Sequence, residues 1–378
     1  MSDSDHSKTD PQNVRSRILY LFTRTPLHIG AGASVGAIDQ PIQRERHTGF
    51  PIIPATGQKG SFADQWPTPL RNEKDEAVRV VEESKNKGKR AEEVSKLRKG
   101  ADPEGKEADV TFLLHSSAWL FGSDTTDLPF AGSLIFSEAR VLAFPIRSAK
   151  GSYAWITCPL MLQRAARDGV FGKLKKDGDG EETNQALASL IALKEPADEE
   201  AIFQPADPNN KDKGKLDVGG QIVLEEYCFK SSTQSYPTDL ATAISKLIAD
   251  ELFQSIADRL VILSNGMMSH FATTACEIAQ HVRISDETGT ADSGGLFNQE
   301  NVPADTLFYA ILSAVKSRVP GDVVKYQPDK EKEGTSDAAA ALAAFEAKVK
   351  EVKAFQFGGD ATTGLGLCSV TLNKAKTS

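Results

Sequence analysis

The sequence predicts an α+β fold, with helices packed on one face of an antiparallel sheet. Strand-like and helical segments alternate without the regular βαβ period that a parallel sheet requires. A hydrophobic fraction of 40% and a charged fraction of 25% are those of a globular chain. A length of 378 residues allows about three quarters of the unfolded surface to be buried.

Taken in order, residues 1–13 offer nothing apolar and are expected to be a disordered tail. Residues 16–24 read as a strand, with Ile18, Tyr20 and Phe22 on one face and Leu19 and Leu21 on the other. The Gly- and Pro-rich stretch 26–54 is too broken for a helix and reads as a long functional loop. A short helix is expected at 56–65 and a charged insertion at about 70–108. Residues 110–120 have helical spacing and stop at Gly122; 132–144 is strand-like and 159–167 helical. A second charged insertion covers 168–219, with one helix at 185–193. Strands are expected at 221–229 and 259–263 and an amphipathic helix at 239–253. Residues 281–302 form two extended arms about a Gly-rich centre, as in a long hairpin. Residues 306–315 fit a strand or a short helix, 338–352 an Ala-rich helix, and a last strand runs through Leu372 after a Gly-rich turn.

Charge and motifs exclude several functions. No apolar run reaches the ~18 residues of a membrane span, and the polar N-terminus is neither a secretory signal nor a transit peptide, so no membrane partner and a cytoplasmic location are expected. The cysteines Cys158, Cys228, Cys276 and Cys368 form no C-x-x-C pair and are expected to be small buried hydrophobes. The net charge of −8 conceals an asymmetry. Residues 14–62 carry six basic residues against two acidic ones, a net of +4, whereas 168–217 carry seven lysines against twelve acids, a net of −5. Gly32 to Gly36 matches G-x-S-x-G, but no helix follows before Pro41, which rejects both a nucleophile elbow and a dinucleotide fingerprint. There is no P-loop, no H-x-x-x-H pair and no RNP1-type signature. What remains is the glycine- and arginine-rich loop itself. Its glycines let backbone amides approach an anion, and Arg44, Arg46 and Lys59 supply charge for phosphates. The same residues also suit a packing loop with solvated arginines.

Three segments carry a resemblance. Leu27-His28-Ile29-Gly30-Ala31-Gly32, the block from Asp39 through Gln40-Pro41-Ile42-Gln43-Arg44-Glu45-Arg46-His47-Thr48 to Gly49, and Gly358-Gly359-Asp360-Ala361-Thr362-Thr363-Gly364-Leu365-Gly366 resemble the RAMP superfamily. Within it they are similar to the backbone subunit of the type III-B, or Cmr, CRISPR effector complex. The resemblance implies a single elaborated domain over 14–378, with a ferredoxin-like (RRM-like) palm, helical and insertion subdomains, and a thumb β-hairpin at about 281–302. It further implies copies of the chain stacked in a filament on guide RNA, beside other subunits, with paired target RNA cut once per subunit.

The same resemblance puts Asp39 on the family's catalytic aspartate, Lys59 on a guide-binding lysine, and His28 near the guide. Arg44, Arg46, His47, Gly358, Gly359, Gly364 and Gly366 are expected at the RNA, and Glu300 in the thumb. The family's S-L-K-G is here Gly57-Gln58-Lys59-Gly60, and its E-E-Y is here Gln299-Glu300-Asn301. RNA brings its own nucleophile, the 2′-hydroxyl, so Asp39 is expected to position a weakly bound Mg²⁺ or other divalent ion rather than act as a base. The alternatives are a filament protein that binds guide RNA without cutting, and a repeat-processing endoribonuclease.

Overall fold

A computed structural model describes residues 15–32, 36–66, 79–82, 110–113, 118–123, 129–172, 184–210, 213–316, 318 and 337–374. The tail at 1–13, most of the insertion at 70–108 and the centre of the G-x-S-x-G match lie outside the described residues. The chain divides into two compact units, the larger made of residues 16–61, 136–312 and 349–378.

Sixteen strands are described, and those of the larger unit's sheet include β1 (Arg15–Thr23), β6 (Ala139–Ser148), β7 (Ser152–Thr157), β8 (Glu200–Ala201), β9 (Gln221–Leu224), β10 (Tyr227–Ser231), β11 (Leu260–Ile262), β14 (Leu307–Ala314), β15 (Ala354–Gln356) and β16 (Leu367–Lys374). They follow the order β15-β16-β1-β14-β6-β9-β10-β8, with β7 also on β6 and β11 on β7. The sheet is mixed: β1 pairs β16 and β6 pairs β7 antiparallel, while β11–β7 and β10–β8 are parallel. The α+β class therefore holds, and the purely antiparallel sheet does not. The reason lies in the crossovers: the helix Pro159–Arg167 and those at Thr238–Ser245 and Glu251–Gln254 intervene between β7 and β11, long enough to return the chain parallel.

Ile18, Tyr20 and Phe22 of β1 join one core with Leu162 and Ala165 of Pro159–Arg167, Leu240 and Ile244 of Thr238–Ser245, and Phe253. Leu19 and Leu21, on the opposite face of β1, are equally inaccessible at 0%, so this strand is covered on both faces rather than one. Trp155 sits at 0% exposure within that core, edge-on to Tyr153 at 5.0 Å and Phe253 at 5.7 Å, and its indole N–H donates to the Asp305 carbonyl at 2.8 Å.

Several expectations shift. Residues 110–120 are not one helix: β4 (Val110–Leu113) pairs with β3 (Arg79–Glu82), and a separate helix spans Ala118–Phe121. The region 306–315 is a strand, β14. The amphipathic stretch 239–253 breaks into two helices, the second started by Asp250, whose carboxylate accepts from the Phe253 N–H at 3.1 Å. The helix at 185–193 ends one residue early, at Ala192. Cys228 is exposed, while Cys158, Cys276 and Cys368 are buried. The two arms form an antiparallel hairpin of β12 (Glu277–Ile284) and β13 (Ala291–Asn301), four residues longer at its start than expected. No helix among the described residues is long and apolar enough to cross a membrane.

In the smaller unit, Phe62 meets Phe345 edge-on at 4.9 Å, and Gly132 packs so closely on the helix Ala118–Phe121 that a Cβ there would lie 2.3 Å from the Leu120 carbonyl. Replacement of Trp155 by Ala removes a full ring from the larger core and should cost about 3–5 kcal/mol, read by chemical denaturation. A loss under about 1 kcal/mol would show that this core repacks freely.

Candidate functional site

The long loop is not loose; it is added onto the root of the hairpin. Leu27 and Val302 exchange backbone hydrogen bonds at 2.8 and 2.9 Å. Gln40 pairs with Gln299 as a parallel bridge, its N–H donating to Asn298 O at 3.1 Å and its O accepting from the Glu300 N–H at 3.0 Å. The loop then folds back on itself: the Ala31 N–H donates to Pro41 O at 2.8 Å and the Gln43 N–H to Ile29 O at 2.7 Å.

The charged anchor is Glu300. Its side chain is 3% exposed, and Oε1 lies 2.6 Å from Nη2 of Arg44 while Oε2 accepts from the Ile42 N–H at 3.1 Å. Arg44 is fully engaged inside the protein. Nη1 donates to Gly49 O at 2.6 Å and Ala272 O at 2.7 Å, and Nη2 reaches Cys276 Sγ at 3.3 Å besides Glu300. Ala272 lies in the last turn of the helix Asn265–Thr274, which is capped at its start by the Ser264 hydroxyl, so the guanidinium also meets the negative end of a helix. Burial pushes the Cys276 thiol up to about 11, keeping it a neutral neighbour of this pair. With all four Nη protons donated internally, Arg44 braces the loop against the hairpin and the helix Asn265–Thr274.

The rest of the block closes as a turn. The Glu45 N–H donates to Phe50 O and the Gly49 N–H to Glu45 O, both at 2.8 Å. Gly49 takes φ +72°, and a Cβ there would sit 2.8 Å from Thr273 Cγ2, which accounts for glycine. Burial alone would raise the Glu45 carboxyl, yet the Thr48 hydroxyl at 2.5 Å and the Arg164 guanidinium at 2.8 Å hold it below its ordinary value. Arg164 Nη2 also donates to His47 Nε2 at 2.9 Å, leaving the imidazole 65% exposed. Arg46 is exposed beside it.

His28 is buried, only 7% exposed. Its Nδ1 donates to Glu300 O at 2.7 Å, and its own carbonyl accepts from the Gly359 N–H at 3.0 Å. Gly358, at φ +76°, crosses so near that a Cβ would stand 2.0 Å from that carbonyl; Gly366, at φ +77°, is as tight against Phe357 O. Gly358 and Gly366 are thus required by packing, whereas a Cβ on Gly364 would meet open space. Asp360 of the same loop accepts from Gln299 Nε2 at 2.5 Å, and Gln299 Oε1 in turn faces His281 Nε2 at 3.0 Å.

Asp39 is exposed. Its N–H donates to Asn298 Oδ1 at 2.7 Å and its Oδ2 accepts from the Asn298 N–H at 2.8 Å, across 259 residues of sequence. Oδ1 has no partner among the described residues. Among those residues no group of three or more His, Cys, Asp or Glu could hold a metal ion; Asp39 offers a single carboxylate, a donor of the kind a hard divalent ion takes together with waters. Lys59 is exposed on the helix Ala55–Ala63, while its neighbour Gln58 is buried and donates to Ile53 O at 2.9 Å and Ser137 O at 3.0 Å. Asn298 and Arg164 were not singled out by the sequence, and nothing local marks them; Gln299 and Asp360 stood within quoted motifs, but their bond to each other, 61 residues apart, did not show there.

Removing one member of the Arg44–Glu300 pair should strand a buried charge. Arg44→Ala is expected to cost about 3–5 kcal/mol, measured as a loss of unfolding free energy. Retention of wild-type stability would mean that Arg44 is not the brace described.

The sequence is 28% identical over 372 residues to the protein of Pyrococcus furiosus named CRISPR system Cmr endoribonuclease Cmr4, a match covering 96% of this chain and 97% of that one. Oligomeric Cmr4 from P. furiosus shares the fold with a TM-score of 0.56 at 23% identity, covering 96% of this chain and 99% of that chain. A chain of the type III-B Cmr-beta complex bound to cognate target RNA does so at 0.59 and 16% identity, covering 96% and 98%. The family model of the RAMP superfamily matches residues 21–369, and the chain belongs to that superfamily.

Proposed function

We propose that the chain is the backbone subunit of a cytoplasmic type III-B CRISPR ribonucleoprotein, which lines up in copies along guide RNA beside other subunits and cuts paired target RNA at regular intervals. The observation that carries this reading is an exposed carboxylate, Asp39, held from two sides at the root of a long hairpin, in a chain similar along its whole length to a Cmr endoribonuclease. The palm of such a subunit would be the β16-β1-β14-β6 region, and the β12–β13 hairpin its thumb.

The chemistry needs little from the protein. The target's 2′-oxygen attacks the adjacent phosphorus as its proton passes to water, the P–O5′ bond breaks as the leaving oxygen takes a proton from water, and the products are a 2′,3′-cyclic phosphate and a 5′-hydroxyl. A helically stacked strand holds the 2′-oxygen out of line, so the hairpin's task is to unstack a nucleotide, at a cost on the order of a few kcal/mol. Asp39, ionised at neutral pH, is too weak a base for an alcohol and acts by position and charge. Asp39 would hold a divalent ion such as Mg²⁺, which would supply Lewis-acid charge to the reacting phosphate. Lys59, Arg46 and His47 are the exposed groups suited to phosphates, where they would set register without reading bases. Arg44, His28, Gly358 and Gly359 shape the loop from within.

One observation favours a non-cutting filament subunit instead: Asp39 already has a structural role, since Oδ2 holds the hairpin strand. Asp39→Asn separates the two, because its side-chain oxygen keeps that hydrogen bond while the charge is gone. In the reconstituted complex, Asp39→Asn should preserve assembly and target affinity and slow cutting by about 100-fold or more; cutting at the wild-type rate would leave the filament reading standing. Lys59→Ala should weaken guide binding about equally for all sequences and reduce the slope of log affinity against log salt by about 0.7. An unaltered slope would remove Lys59 from the phosphates.

A further inference from the structure

We infer that Asn298, on β13 of the hairpin, is the positioning residue for Asp39; the inference rests on the cleavage role proposed above. Every polar group of Asn298 is directed at the loop segment 37–40. Its N–H donates to Asp39 Oδ2 at 2.8 Å, its Oδ1 accepts from the Asp39 N–H at 2.7 Å, its Nδ2 donates to Ala37 O at 3.1 Å, and its carbonyl accepts from the Gln40 N–H at 3.1 Å.

The pattern demands this side chain. One partner, the Asp39 N–H, can only donate, and another, the Ala37 carbonyl, can only accept, so the side chain opposite must offer an acceptor and a donor together. A primary amide does so, and the two partners also settle which of its ends faces which. Aspartate would set a carboxylate against the Ala37 carbonyl and near the Asp39 carboxylate. Alanine would leave the backbone bonds but release residues 37–39 from the side chain. The consequence for Asp39 is specific. Oδ2 is tied to the hairpin strand, which leaves Oδ1 as the oxygen for RNA or a shared ion. Loop and hairpin therefore present the carboxylate as one unit, although they lie 259 residues apart. A slackened clasp should change how fast bound target is cut, not how tightly it is bound.

The test uses the complex reconstituted with guide RNA and wild-type, Asn298→Ala, Asn298→Asp or Asp39→Asn subunit. Three quantities are measured: the single-turnover cutting rate at saturating target, the target Kd, and deuterium exchange over residues 37–40. Asn298→Ala should cut about 10-fold or more slowly, with target Kd within about twofold of wild type and faster exchange confined to residues 37–40. Should that variant fail to assemble, Asn298→Asp carries the test, with the same split expected between rate and affinity. Wild-type cutting by the assembled variant overturns the inference, as does a parallel loss of rate and affinity, which would mark Asn298 as a general support of the hairpin. If Asp39→Asn itself cuts normally, it is the cleavage reading that has failed, whatever Asn298 does.

Discussion

The buried ion pair between Arg44 and Glu300 is the constraint on which the rest of the site depends. A carboxylate at 3% exposure persists only when paired and hydrogen-bonded, and here it takes both a guanidinium and the Ile42 N–H. The two partners come from the long loop and from the hairpin, so satisfying the charge joins them. Once joined, the register between loop and strand is set, and Gln40 falls opposite Gln299. Asp39, one residue earlier, is carried to Asn298 as a result.

The glycine-rich closing segment is a third layer on the same root. It reaches His28 through the Gly359 N–H and reaches the hairpin through Asp360 and Gln299. The Asp360 carboxylate can only accept, so the Gln299 amide must turn its nitrogen toward it and its oxygen toward His281, which then carries its proton on Nε2. Three segments from the start, the later part and the end of the chain thus hold one another through groups that have no freedom to exchange roles. Asp39, Arg46, His47 and Lys59 stay exposed around this frame.

Much of this was legible in the sequence where the cause is local. Alternating apolar residues marked β1, two arms about a glycine centre marked the hairpin, and Ala-rich spacing marked the helix Asp337–Val352. The block beginning at Asp39 was found as a unit, but its inner division was not. Arg44 and Arg46 look alike in sequence, and only the fold sends one into Glu300 and leaves the other in water. His28 was placed near the guide by the resemblance alone, and nothing in its sequence neighbourhood announces that its ring is buried against Glu300. The strand at Val110–Leu113 was missed because the apolar spacing of a short segment fits either period, and the break in 239–253 because an aspartate inside a helical run does not announce that it caps a second helix. Asn298 could not be found at all: its partners are hundreds of residues away, and its neighbours in sequence say nothing of them.

On the proposed function, an aspartate fastened to a hairpin cuts RNA once for each subunit aligned on a guide. This is tested most directly by incubating the assembled wild-type complex with an end-labelled, guide-matched RNA and Mg²⁺ and resolving the products at single-nucleotide resolution. A ladder of evenly spaced fragments ending in cyclic phosphate is expected. Intact RNA that remains bound to the complex, or a single cut at one position, would contradict it.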